Sequence, residues 1–179
     1  MFDKIAEKRR SIRKFQPRPV EPEKIDIVLE TALRAPTARR KRSWHFIVVT
    51  DESVRTELSK ARLSGGQFLE RAPVAVVVCG NPEVSPHWIA DCSIAAVSMQ
   101  YAATSLDLGS CWFNIRGNER QDGSPSGDYV KALMDLPENL DVLCIIALGY
   151  PDEGPAPYDR DTLPWDNVSY GRYSGKNKG

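Results

Sequence analysis

The residues best suited to bind an anion lie together near the start of the chain, in the segment Arg9-Arg10-Ser11-Ile12-Arg13. Three guanidiniums and one hydroxyl fall within five residues, and a guanidinium binds phosphate through two parallel hydrogen bonds. The alternative interpretation is a solvated basic helix end. Such a helix end would not need the apolar residues Ile12 and Phe15, which lie among these charges. The pattern therefore predicts one phosphate held at the edge of a core.

Three further clusters are candidates for the same ligand. The four cations at 39–42 precede an apolar strand, and they form either a solvated loop or a contact with an anionic ligand. Gly109-Ser110 opens another strand, where a missing side chain lets backbone N–H groups approach a flat ligand. The pair Asp159-Arg160 is solvated unless the C-terminal tail folds back to the first basic segment.

The sequence offers no side chain that stands out as a catalytic nucleophile or metal ligand. Four widely spaced cysteines sit in apolar surroundings, which is typical of buried free thiols: Cys79, Cys92, Cys111 and Cys144. Cys111 has no histidine or carboxylate near it in sequence, so we expect a structural role for it. With only two histidines in the chain, we expect no metal site.

Charge and length restrict the class of protein. The chain has 179 residues, and its net charge of zero divides into +7 for residues 1–62 and −7 for residues 63–179. A basic first part favours an anionic ligand or a partner of opposite charge. No stretch approaches the roughly 18–20 apolar residues of a membrane span. The length fits one domain, 1–179. Because the N-terminal segment lacks the apolar core of a secretory signal, we expect the protein in the cytoplasm.

Hydrophobic periodicity predicts alternating helices and strands. A short helix precedes the basic segment, and a second helix opens near Pro22. Strands are expected at 44–49, 74–79, 108–115 and 142–148, and further helices at 52–62, 88–106 and 128–136. The run at 74–79 is apolar throughout and is therefore expected to be central. Such alternation is typical of an α+β or α/β sandwich.

Two segments indicate contact with another surface. Small and apolar residues occupy nearly every face of the helix at 88–106, so we expect a core helix that also packs on a partner subunit. A helix with only one buried face is the alternative. The C-terminal tail carries several aromatic residues and is expected to lie on another surface: Tyr158, Trp165, Tyr170 and Tyr173.

Five motifs, in this order along nearly the whole chain, resemble the FMN-dependent nitroreductase family. They are the R-R-S-x-R-x-F run at 9–15, Ala35-Pro36-Thr37-Ala38 with the strand from Trp44, the helix from Asp91, the strand Leu108-Gly109-Ser110-Cys111-Trp112, and Gly149-Tyr150-Pro151 followed by Arg160. The resemblance implies an α+β fold, a nitroreductase-like three-layer α/β/α sandwich. Its central sheet is mostly antiparallel, and its C-terminal tail reaches the partner subunit of a homodimer.

The same resemblance implies one FMN at each end of the dimer interface. Its phosphate is held by Arg9, Arg10, Ser11 and Arg160, and Arg13 lies toward the N1/O2 edge of the flavin, where a fixed cation stabilises the charge that reduction creates. The backbone of Gly109 and Ser110 faces the ring. The other subunit contributes Thr37, Ala38 and Arg40, and Pro36 beside them is a further cofactor-binding residue.

One segment departs from the family pattern. Arg40 and Arg42 stand where the family has Asn and Gln, and Ser43 replaces the Pro before Trp44. Asn and Gln both donate and accept hydrogen bonds, whereas Arg only donates. Contacts of this loop with the flavin therefore do not carry over intact. Either arginine is a candidate to pair with phosphate or with an anionic substrate instead.

The chemistry implied is ping-pong hydride transfer at flavin N5, with no catalytic protein side chain. NADH or NADPH is the donor, a visiting substrate because the chain has no G-x-G-x-x-G fingerprint. A nitroaromatic, quinone or similar small molecule is the acceptor. Three alternatives stay open: other flavin chemistry on the same fold, a flavin-binding sensor or carrier without turnover, and a nucleic-acid-binding module based on the cations at 39–42.

Overall fold

The computed structural model describes residues 2–173 of the chain. In that range, helices and strands alternate along the sequence: α1 (Phe2–Lys8), α2 (Pro22–Leu33), β1 (Trp44–Val49), α3 (Glu52–Ser59), α4 (Phe68–Arg71), β2 (Val74–Gly80), α5 (Trp88–Ser105), β3 (Gly109–Asn114), α6 (Ser126–Leu133) and β4 (Asp141–Gly149). Single turns of 3₁₀ helix occur at Ala38–Arg40, Arg160–Thr162 and Trp165–Asn167.

The four strands form one antiparallel sheet in the order β1-β2-β4-β3. Strand β2 is buried along its whole length, as its unbroken apolar sequence predicts. Its side chains alternate between two cores: Val76 and Val78 face one, whereas Val77 and Cys79 face the other. A strand buried on both faces has no polar side, so the sheet must be covered by helices on both faces.

Helices complete a three-layer α/β/α sandwich, which confirms the expected fold class. On one face α2 and α5 pack together over the sheet, with Val28 and Ala95 fully buried. On the other face α3, α4 and α6 enclose a second core around Leu58 and Val130. The sheet thus stands between two apolar layers.

The expected helices and strands are all present, with shifts at their ends. Helix α3 ends at Ser59 rather than at residue 62, and α6 spans Ser126–Leu133 rather than 128–136. Helix α6 ends before residue 136 because Asp135 adopts a left-handed φ of 51°, which terminates helical hydrogen bonding. Helix α4 was not predicted from the sequence, because its four residues are too few to show helical periodicity.

The long helix α5 is apolar on its outer face as well as its inner face. Ala95 and Met99 are fully buried, whereas Ile94 and Val97 are 39% and 37% exposed. Two serine hydroxyls on this helix donate to backbone carbonyl oxygens one turn earlier. Ser93 donates to Ile89 at 2.7 Å, and Ser98 donates to Ile94 at 2.8 Å. The outer stripe therefore has few polar groups to offer water, which agrees with the prediction of a partner surface there.

Candidate functional site

The first basic segment is fastened to the sheet by its apolar residues. Ile12 and Phe15 are 7% and 5% exposed, and the Ile12 N–H donates to the Ser110 carbonyl oxygen at 2.9 Å. Ser11 and Ser110 form a parallel bridge at the open edge of β3. The charged residues between these anchors face outward, so the pattern indeed places guanidiniums at the rim of the core.

Gly109 makes this close approach possible. A Cβ at position 109 would lie 2.8 Å from both Cβ and Cγ2 of Ile12, well inside van der Waals contact. The space vacated by the missing side chain is therefore filled by Ile12 and not by a ligand. The glycine still lines the adjoining cleft, but its first effect is to position the basic segment.

A carboxylate that the sequence analysis missed holds the same segment from the other side. Glu153 Oε1 accepts hydrogen bonds from the backbone N–H groups of Arg13 at 2.5 Å and Lys14 at 3.1 Å. The Asp152 N–H also donates to the Lys14 carbonyl oxygen at 2.9 Å. Because some 140 residues separate the partners in sequence, only the fold brings them together. The one available signal was an acid just after Gly149-Tyr150-Pro151.

The tail does return to the first segment, through Tyr158 rather than through Arg160. The Arg10 guanidinium lies 4.3 Å from the centroid of the Tyr158 ring, a cation–π contact. Arg160 instead contacts its own 3₁₀ turns, where its carbonyl oxygen accepts from Trp165 Nε1 at 3.0 Å. No hydrogen bond within residues 2–173 joins Arg160 to the segment 9–13. Residues 156–173 are exposed, so contact of the tail with a partner stays a prediction.

A cleft of about 310 Å³ opens beside this segment, at the small end of the usual range for ligand sites. Its lining includes Lys8, Arg10, Gly109 and Glu153. Within the described residues, no carboxylate forms an ion pair with Arg9, Arg10, Arg13 or Arg160. The Ser110 hydroxyl is likewise buried with no hydrogen-bond partner in that range. In the lining, Lys8 is paired with Asp107 at 2.6 Å, whereas the unpaired guanidiniums of the basic segment fit an acceptor-rich group such as a phosphate.

Cys111 lies next to these cations but is not poised for nucleophilic attack. It is 1% exposed, and burial raises the pKa of its thiol more than the nearby Arg13 and Arg9 charges lower it. All four cysteines are buried and free, as expected: Cys79, Cys92, Cys111 and Cys144. Over residues 2–173, no group of three or more His, Cys, Asp or Glu side chains could hold a metal ion.

The other predicted ligand-binding loop, residues 36–42, lies at the opposite end of α5. The Ala38 N–H donates to Asp91 Oδ1 at 2.8 Å, and Asp91 is a buried residue in the first turn of α5. The Arg42 N–H donates to Thr37 Oγ1 at 3.3 Å, which closes the loop on itself. Pro36 and Arg40 stay exposed. The loop is thus pinned by a carboxylate while its cations reach solvent.

Three of the four cations in this loop adopt a left-handed backbone. The φ angles are 52° at Arg39, 57° at Arg40 and 49° at Arg42. This conformation costs a residue with a Cβ about 1–2 kcal/mol, a cost that glycine avoids. The chain therefore accepts local strain at three of the four cations of this loop.

The two parts of the predicted site lie too far apart within one chain to hold the same small group. Asp91 anchors the loop 36–42, and Thr104 lines the cleft beside the basic segment. Thirteen residues of helix separate them, which is about 20 Å at 1.5 Å per residue.

A larger cleft of about 720 Å³ lies apart from these cations, beyond Phe15. Its buried cation is Arg55, whose Nη1 donates to the carbonyl oxygens of Leu69, Glu70 and Ala72 at the end of α4. Burial lowers the pKa of Arg55. Nη1 of this guanidinium is thus occupied by the carbonyl groups at the end of α4, whereas its Nε is buried without a hydrogen-bond partner among residues 2–173. None of the helices between residues 2 and 173 has the length and apolar character to cross a membrane.

Comparisons with known proteins agree with these features. The model of the Nitroreductase family matches residues 6–68 and 60–150. The solved structure of an FMN-dependent nitroreductase from Clostridium difficile R20291 superposes with a TM-score of 0.92 at 39% identity, covering 94% of this chain and 98% of that one.

Two curated relatives are similar over most of this chain. A provisionally named NADH dehydrogenase/NAD(P)H nitroreductase of Archaeoglobus fulgidus is 35% identical over 162 residues, which are 88% of this chain and 90% of that protein. An NADPH-flavin oxidoreductase of Vibrio harveyi is 30% identical over 162 residues, 82% of this chain and 64% of that protein.

Proposed function

This chain belongs to the nitroreductase family, and on that premise we propose that it is an FMN-dependent oxidoreductase that uses NADH or NADPH to reduce small acceptors. The acceptors we propose are nitroaromatic compounds, quinones and similar molecules. The observation that carries the proposal is the basic segment at the edge of the 310 Å³ cleft, whose three arginines have no ion pair within residues 2–173 and which Ile12 and Glu153 hold in place. Such cations are costly to bring together unless an anion binds there.

Each side chain of the first basic segment has a distinct part in this proposal. Arg9, Arg10 and Ser11 hold the FMN phosphate with charge-assisted hydrogen bonds, which are about twice as strong as neutral ones. The Arg13 guanidinium offsets negative charge on the pyrimidine edge of the cofactor. Bound FMN itself supplies the hydride chemistry.

The remaining groups complete the site from a second copy of the chain. We propose a homodimer in which the loop 36–42 of one copy lies against the basic segment of the other. Both substrates use the same open face in turn, so the kinetics are ping-pong. No protein acid or base needs to be invoked, which agrees with the inert, buried thiol of Cys111.

The first test is an anaerobic absorbance spectrum of the purified protein before and after addition of NADH or NADPH. We expect flavin bands that either nucleotide bleaches and that a nitroaromatic or quinone restores. Flavin bands that neither nucleotide bleaches would favour a non-catalytic carrier instead. A colourless protein that FMN cannot reconstitute would refute the proposal.

The phosphate assignment has its own test. Arg10→Ala is expected to weaken FMN binding by about 1.5–3 kcal/mol, because it removes one hydrogen-bonding charge. Lys14→Ala is the matched control, since it removes an exposed cation of the same segment that has no proposed contact with FMN. If Arg10→Ala binds FMN as tightly as Lys14→Ala does, the phosphate lies elsewhere.

A further inference from the structure

The four cations at 39–42 are not neutralised by any ion pair among the described residues. All four are exposed. Both oxygens of the carboxylate that anchors the loop already accept hydrogen bonds. Asp91 Oδ1 accepts from the Ala38 N–H, and Oδ2 accepts from the Ser85 hydroxyl at 3.3 Å. The loop therefore exposes four positive charges to solvent, while a hydrogen bond to Asp91 fixes its backbone at Ala38.

The backbone of the loop is strained at three arginines and fixed at both ends. Arg39, Arg40 and Arg42 have φ between 49° and 57°, a conformation that glycine or asparagine adopts with less strain. Both ends of the loop are held, by the Ala38 N–H on Asp91 and by the Ser43 carbonyl oxygen, which accepts from the Asn81 N–H at 2.8 Å. The arginines thus stand on a constrained backbone with only their side chains free to adjust.

The chemistry of these side chains selects the ligand. Guanidinium and ammonium groups only donate hydrogen bonds, so they match a group that only accepts, such as a phosphate or a carboxylate. The phosphate of FMN is already assigned to the basic segment 9–13. We therefore assign a second anionic group at this loop to a molecule that visits the site.

We propose that the loop 39–42 selects substrates that carry a phosphate or a carboxylate. This inference rests on the proposed function, in which the loop of one copy borders the substrate face formed with the other. Two sources share this chemistry: the 2′-phosphate that distinguishes NADPH from NADH, and an acidic group on the electron acceptor. A loop of four cations also steers an anionic substrate during its approach, an effect that salt screens.

The test compares matched substrate pairs in the variants Arg39→Gln, Lys41→Gln and their double. One pair is 4-nitrobenzoate and 4-nitrobenzamide, which differ in charge but hardly in shape, and the other is NADPH and NADH. We expect the double variant to lower the kcat/KM ratio of the charged to the uncharged acceptor, or of NADPH to NADH, about tenfold. Arg34→Gln is the control, because it removes an exposed charge just after α2 that is already paired with Glu30 at 2.8 Å.

The outcomes separate the two sources. A fall in only the nitrobenzoate ratio assigns the loop to the acceptor, and a fall in only the NADPH ratio assigns it to the 2′-phosphate. Calorimetric binding of 4-nitrobenzoate and NADP⁺ to the oxidised holoprotein gives a second readout without turnover. If both ratios and both affinities stay within twofold of those of Arg34→Gln, the inference is overturned.

The same experiment keeps this inference distinct from the proposed function. A double variant that still binds FMN and is bleached by NADH, yet shows unchanged ratios, refutes only the selection by the loop. Wild-type protein that never binds FMN refutes the function itself.

Discussion

Replacing Gly109 by alanine tests whether the contact with Ile12 positions the phosphate-binding arginines. The new Cβ would lie 2.8 Å from Cβ and Cγ2 of Ile12 and 2.9 Å from Cγ1. Carbon atoms pack at about 3.5–4.0 Å, so Ile12 must withdraw by about 0.7–1.2 Å. Overpacking of this kind costs about 1–3 kcal/mol of unfolding free energy.

The displacement should also reach the ligand, because Ser11 and Arg13 are the covalent neighbours of Ile12. Charge-assisted hydrogen bonds are short, about 2.7–2.9 Å, and a shift approaching 1 Å removes most of their energy. We therefore expect Gly109→Ala to weaken FMN binding at least tenfold, or about 1.4 kcal/mol. Quenching of flavin fluorescence measures the affinity, and urea unfolding measures the stability.

Two further variants separate local displacement from general loss of stability. Leu58→Ala empties a fully buried position of the opposite helical layer and is expected to cost about 2–5 kcal/mol with little effect on FMN affinity. Ile12→Ala removes two of the three clashing atoms, so the cost of Gly109→Ala should shrink in that background. An equal cost in both backgrounds, with FMN affinity within twofold of wild type, would refute the reasoning.

Three other predictions concern the rest of the molecule. Tyr150→Phe removes the 2.6 Å hydrogen bond that is the largest cause of the low pKa of Glu21, about 2, so NMR titration should find that pKa raised. The stability it loses at neutral pH should vanish as pH falls from about 4.5 toward 2. Folded protein should not react with a disulfide reagent at pH 8, since burial raises the pKa of Cys79 and Cys92 to about 12; rapid labelling without unfolding would contradict this. Light scattering should give about twice 20.0 kDa for the wild type and a smaller mass for Ile94→Glu, and an unchanged mass would exclude α5 as the interface.

The sequence predicted best what depends on local pattern. The strand at Val74–Gly80 and the helix at Trp88–Ser105 carry long, unambiguous apolar runs, and both lie where they were expected within one residue. The anchoring of the basic segment could also be predicted, because Ile12 and Phe15 interrupt the charges at positions that must be buried. In each case a pattern of apolar residues within one short segment determines the local structure and its burial.

Contacts between distant segments could not be predicted in this way. The carboxylate of Glu153 binds two N–H groups of the first basic segment, and Tyr158 covers Arg10, yet the local sequence of neither residue indicates which segment it contacts. Arg160, chosen from the family motif, contacts its own turn in the single chain instead. The left-handed arginines at 39–42 were equally hidden, because nothing in a run of cations predicts positive φ.

The separation of the two parts of the site has a thermodynamic consequence for the proposed dimer. The basic segment and the loop 36–42 lie at opposite ends of α5, so a ligand that contacts both is shared between two copies. Binding and association are then linked, and each must strengthen the other by the same free energy. The apparent affinity for FMN should therefore rise with protein concentration until the dimer is saturated. In a monomer that contained the whole site, the affinity for FMN would not depend on protein concentration.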